Sequence, residues 1–112
     1  MALDVTLNIV NDVATITLSG ELDASTAPSF QEKIKEAASH NLKKLFLELT
    51  ELEYMASAGL RMLIFSKQQM GTDVNIYVVN AQEMVKDTIE KTGFHHSVTM
   101  VESDNIDDLI KA

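Results

Sequence analysis

Residues 53–63 read EYMASAGLRML and set one hydroxyl, Ser57, between Ala56 and Ala58, with Gly59 next and an apolar run behind. A serine so framed can serve as a nucleophile, a phosphoryl acceptor or a helix cap. The nucleophile elbow needs glycine two residues to either side; Gly59 fits one position, but Met55 occupies the other. ASAGLRM also lacks the GxxxxGK[ST] spacing of a phosphate-cradling loop. On spacing alone two readings stand. Ser57 caps a helix and Gly59 is a packing contact, or the small neighbours leave the hydroxyl uncrowded for another protein's active site. Gly59 costs a helix about 1 kcal/mol relative to alanine, which a close approach or an unusual backbone angle would explain.

The other chemistry-bearing residues have simpler explanations. His40, His95 and His96 do not read as a metal site, because adjacent histidine side chains are expected to diverge and the chain has no cysteine. Glu48, Glu51 and Glu53 resemble an acid/base set, yet a solvated strand edge and loop account for them, and no nucleophile–base pair is visible. Asp104, Asp107 and Asp108 lack the glycine and terminal glutamate of a calcium loop and suit the first turn of a helix. The six methionines read as core and rim filler, with Met55 and Met62, which flank the motif, offering adaptable contacts to a partner. The sequence thus predicts no catalytic residue, metal or cofactor.

Composition narrows the partners. Nine basic residues are scattered against seventeen acidic ones, a net charge of −8, so no cationic stripe exists to neutralise nucleic acid or an anionic membrane. An acidic surface steers a domain toward a basic protein face. No apolar run approaches the roughly 20 residues of a membrane-spanning helix, and the start MALDVTLN lacks a basic signal-peptide region. Together with the absence of cysteine, this predicts a cytoplasmic protein. With 112 residues, 46% hydrophobic and 23% charged, the expectation is one globular domain over residues 1–112.

The elements that must position Ser57 follow from periodicity. LDVTLNI alternates at period two, and beyond Asn11-Asp12 the run VATITLSG is rich in β-branched residues, so an N-terminal hairpin is predicted. Phe30, Ile34, Ala37 and Ala38 form one helical stripe, on a helix opening around Ser25 to Pro28 and fading near His40. KLFLEL (44–49) reads as a strand buried on both faces, with TELEY leading into the motif; Leu60, Leu63 and Ile64 mark the helix after it. VNIYVV (74–79) is the next buried strand. Asn80 with Glu83 reads as an N-cap and capping-box pair, for a helix that runs to about Lys91 and ends at Gly93. A short strand at 98–101 and a fourth helix at about 104–110 complete an α/β fold. Its sheet is mixed and mainly parallel, opened by the hairpin, with about four helices packed against it.

SGELDASTAP (19–28), KLFLELTELEYMASAGLRML (44–63), YVVNAQEMVKDTIEKTGF (77–94) and SDNIDDLIKA (103–112) resemble, in order and spacing, the STAS domain of bacterial anti-anti-sigma factors. The resemblance runs from about Val5 to Leu109. It implies a STAS-type fold and a switch protein without catalysis of its own. The unmodified form binds an anti-sigma factor that is also a serine kinase; phosphorylation ends binding, and a PP2C-type phosphatase restores it. By position the phosphoacceptor is Ser57. Gly20, Glu21, Leu22 and Asp23 match the family's partner-reading loop, and Gly59 and Leu60 match the start of the following helix. With Met55, Ala56, Ala58 and Met62 these form the expected partner-binding set. Ala56 departs from the family, many members of which carry aspartate immediately before the phosphoacceptor. The alternative is a STAS adaptor subunit of a larger signalling or lipid-transport assembly, with no phospho-switch.

Overall fold

The computed structural model describes residues 2–103. Strands β1 (Leu3–Val10) and β2 (Val13–Leu22) form the hairpin, closed by Asn11 and Asp12. Helix α1 (Ala27–Ala38), strand β3 (Lys44–Met55), helix α2 (Ser57–Met70), strand β4 (Asn75–Val79), helix α3 (Glu83–Lys91), a 3₁₀ turn (Phe94–His96) and strand β5 (Thr99–Val101) follow. The sheet order is β1-β2-β3-β4-β5, antiparallel only between β1 and β2. This is the expected mixed, mainly parallel α/β sheet of STAS type. Three α-helices lie among the described residues; the fourth expected helix, with Asp104, Asp107 and Asp108, falls outside them.

Register builds the core. Leu7, Ile16, Leu47, Val78 and Met100 are successive partners across all five strands and share one face. Phe30 and Ile34 of α1, Leu63 of α2, and Val85 and Ile89 of α3 join that apolar cluster. On the opposite face Phe46 and Tyr77 stack with ring centroids 4.8 Å apart. The centre of β3 is therefore buried on both sides, as its unbroken apolar run indicates.

Two local expectations give way. β3 does not stop at Leu49 but continues through Glu51 and Glu53 to Met55, so these acids stand on a strand rather than in a loop. Register shifts between Thr17 and Ser19 and between Gly20 and Glu21 bulge the β2–β3 pairing, and beyond Leu49 the buried residues, Leu52 and Met55, come every third position. Asn80 does not cap α3. Gln82 holds that place, without a side-chain cap. Asn80 has φ +56°, donates its Nδ2 to the Ser103 carbonyl at 2.7 Å and accepts the Ser103 N–H at 2.8 Å. Its backbone N–H donates to the Val101 carbonyl at 2.8 Å, so the residue clamps the chain leaving β5 instead of opening a helix. Gly93 does follow α3 in the left-handed region, at φ +79°.

Candidate functional site: a hydroxyl at a helix start

Parallel pairing of β2 with β3 sets Glu21 beside Tyr54 and Leu22 beside Met55. Just beyond, the Ala56 N–H donates to the Leu22 carbonyl at 2.8 Å, so the start of α2 is tied to the loop that begins at Asp23. The GELD and ASAGL motifs, more than thirty residues apart in the chain, thereby become one surface.

Ala56 occupies the N-cap of α2: its backbone is extended (φ −83°, ψ 173°) and its carbonyl accepts the Leu60 N–H at 3.0 Å. Ser57 is the first helical residue. It is exposed, and its hydroxyl makes no hydrogen bond to the described residues. The cap explanation of Ser57 therefore fails, because the residue before it holds the position and has no side chain able to cap. The backbone N–H groups of Ser57, Ala58 and Gly59 also find no acceptor in the described chain. They add their partial positive charge to that of the helix dipole, beside the free hydroxyl.

Each GELD residue has its own local task. Gly20 lies at φ +111°, and a Cβ there would come within 2.3 Å of the Ala2 carbonyl oxygen, a position only glycine can hold. Glu21 is half-buried opposite Tyr54, and Leu22 is buried in the core. Asp23 Oδ1 accepts the Ser25 hydroxyl at 2.6 Å, the Ser25 N–H at 2.9 Å and the Thr26 N–H at 3.1 Å. Thr26 Oγ1 accepts the Asp23 N–H and donates to the Glu21 carbonyl, both at 2.9 Å. The Ser25 hydroxyl above all holds the Asp23 carboxyl below its ordinary 3.8; desolvation, the next largest effect, opposes it, and the Ser25 and Thr26 N–H groups and the Thr26 hydroxyl add to the lowering. The loop beside Ser57 is thus pinned with a charged carboxylate at its centre.

Gly59 faces inward. It is buried without a positive φ, and a Cβ there would lie 2.7 Å from Leu22 Cγ and 3.0 Å from Met55 Cγ. Its missing side chain lets α2 sit down on β2 and β3, rather than clearing space for a visitor. Of the expected partner-binding set, Leu22, Met55, Gly59 and Leu60 are buried, Glu21, Asp23, Ala56 and Ala58 are half-buried beside the exposed Ser57, and Met62 is half-buried against the core. Two exposed residues near the motif in sequence, Tyr54 and Arg61, escaped the sequence reading. Tyr54 is 42% exposed. Arg61 lies one helical turn beyond Ser57, a spacing that places both on the same side of α2.

Among the described residues no group of three or more His, Asp or Glu is placed to hold a metal ion. The rings of His95 and His96 do not diverge as expected; their centroids are 3.9 Å apart. Glu48 accepts the Thr50 N–H at 2.8 Å and also its hydroxyl. A cavity of about 270 Å³ at the ends of β4 and β5 is lined by Ala81, Lys86, Met100, Val101 and Glu102, which supply no hydroxyl, thiol or imidazole. No helix among the described residues is long and apolar enough to cross a membrane.

Fold and site together define a small α/β domain that presents at a helix start an exposed hydroxyl without a partner among the described residues, with a pinned loop beside it. Residues 4–107 match the model of the STAS domain, and the chain belongs to that family. It is 29% identical over 92 residues to the anti-sigma-F factor antagonist RsfB of Mycobacterium tuberculosis, a match spanning 82% of this chain and 75% of that protein. Among solved structures it resembles an anti-sigma factor antagonist from Mycobacterium paratuberculosis, with TM-score 0.85, 22% identity and coverage of 98% of this chain and 92% of that one. It also resembles the antagonist SpoIIAA, solved both unphosphorylated (TM-score 0.82, 17% identity, 96% and 95% covered) and, from Bacillus, phosphorylated (TM-score 0.76, 15% identity, 98% of each).

Proposed function

We propose that this domain is an anti-sigma factor antagonist switched by phosphorylation of Ser57. In the unmodified form it docks, through the face around Ser57 and Asp23, on an anti-sigma factor that is also a serine kinase, and so frees the sigma factor. Transfer of a phosphoryl group to Ser57 Oγ ends the complex, and a PP2C-type phosphatase restores the docking form. The observation that carries this reading is that Ser57 is exposed, does not cap α2 and stands at three backbone N–H groups that find no acceptor among the described residues. The family membership and the antagonist relatives support it, as does SpoIIAA, which is known in both phosphorylation states.

The physics needs no rearrangement of the fold. Phosphate adds about −1.5 to −2 charges and three acceptor oxygens, which the positive end of α2 accommodates within the domain itself. A partner packed around a neutral hydroxyl instead meets an unpaired charge out of water, at a cost of several kcal/mol; about 1.4 kcal/mol is already tenfold in affinity. The test is binding to the cognate anti-sigma factor with mass analysis after incubation with ATP. Ser57→Ala should bind like the wild type and gain no phosphate, while Ser57→Asp should bind at least about tenfold more weakly. Equal affinities for the two variants would refute the switch. Tight binding with no phosphate transferred would instead favour the constitutive adaptor, and turnover without any partner would point to an enzyme.

A further inference from the structure

The two edges of the sheet differ in length. β5 offers three residues, whereas β1 offers eight, Leu3–Val10, and among the described residues nothing pairs with its outer side. Natural edges are blunted by short strands, lysine, proline or bulges. β1 has none of these: its sequence is LDVTLNIV, its register with β2 is unbroken, and Asp4 is its one charge.

The hairpin fixes which backbone groups point outward. A two-residue loop is closed by a hydrogen-bonded pair, here Val10 with Val13, and such pairs then alternate along the ladder. The Glu21 N–H donates to the Ala2 carbonyl at 3.3 Å, in the same phase. Even-numbered residues therefore bond β2, and Leu3, Val5, Leu7 and Ile9 turn their N–H and C=O groups to the outer edge.

We propose that this edge is a self-association surface, on which β1 of a second copy pairs antiparallel about a twofold axis through Thr6, extending the sheet across both molecules. In that register Leu3 faces Ile9 of the second copy and Val5 faces Leu7 of the second copy, so all four outward residues of each strand exchange hydrogen bonds. Thr6 meets its own counterpart at the axis, a favourable cross-strand pair. Asp4 falls opposite Asn8 of the second copy, so the strand's one charge meets an amide instead of itself. Shifting the axis to Val5 or Leu7 leaves Ile9 or Leu3 unpaired. The apolar side chains of β1, half-buried along the face where α1, α2 and α3 pack, would meet their counterparts on that same face. β2 separates β1 from β3, and the start of α2 is tied to the Leu22 carbonyl of β2, so Ser57 is not part of the β1 edge.

Each copy carries a net charge of −8, so their mutual repulsion opposes pairing and salt should promote it. Sedimentation equilibrium over a range of protein and salt concentrations should show a monomer–dimer equilibrium that tightens with ionic strength, and the Leu3, Val5, Leu7 and Ile9 amides should gain hydrogen-exchange protection as the dimer forms. Thr6 is exposed, so Thr6→Lys and Thr6→Glu test the edge with circular dichroism as the check on folding. Each alone should weaken self-association about tenfold or more, because like charges meet across the axis, and mixing the two should restore it. A monomer under every condition, a dimer indifferent to Thr6→Lys, or protection of those amides only when a different protein is added would each overturn the proposal.

Discussion

Ser57 carries its meaning through what its neighbours lack. Alanine at the N-cap leaves the first N–H groups of α2 without an acceptor among the described residues, where the family aspartate would be placed to accept one of them. Gly59 works in the other direction, as internal packing. Gly59→Ala should gain about 1 kcal/mol of helix propensity but lose about 1–3 kcal/mol to overpacking against Leu22 and Met55, a net destabilisation of up to about 2 kcal/mol in denaturant unfolding. Asp23 makes the loop acid-sensitive. Its folded-state pKa is depressed below 3.8, so its contribution is present above that value and fades as the pH falls through the folded pKa. Replacing Asp23 by Ala should flatten the acid limb of the stability–pH profile below about pH 4 and leave the rest of its slope unchanged.

The elements were legible wherever one period dominated. β1 and the first half of β2 alternate cleanly, and α1 carries its stripe on Phe30, Ile34 and Ala37. The reading failed where pairing at a distance overrides local pattern. β3 outran its expected end because bulges in the β2–β3 register break the two-residue period, which made Glu51 and Glu53 look like loop. Asn80 looked like a cap because its type and its spacing to Glu83 suit one, but its side chain is taken by Ser103, far along the chain. Asn80→Ala removes both side-chain hydrogen bonds and leaves a β-carbon at positive φ. It should destabilise the domain by about 1–3 kcal/mol and speed hydrogen exchange at the Ser103 amide.

For the molecule as a whole, charge is the property that reaches furthest. Seventeen acidic against nine basic residues give the −8 that should speed encounter with a basic docking face. The association rate with the cognate anti-sigma factor should fall severalfold between low and physiological ionic strength while the dissociation rate stays nearly constant, as stopped-flow measurements would show. A rate indifferent to salt would mean that the acidic surface serves solubility alone.

Composition and periodicity by themselves determined the α/β class, the hairpin, the parallel strands and the one serine worth weighing, because burial and strand or helix period are written locally in residue type. Only the tertiary structure decided that Ala56 rather than Ser57 takes the cap, that Gly59 turns inward, and that the start of α2 is tied to the end of β2, next to Asp23. Those facts depend on the register between β2 and β3 and on how closely α2 approaches Leu22. Register and approach are set by contacts between residues more than thirty positions apart, and no local pattern records them.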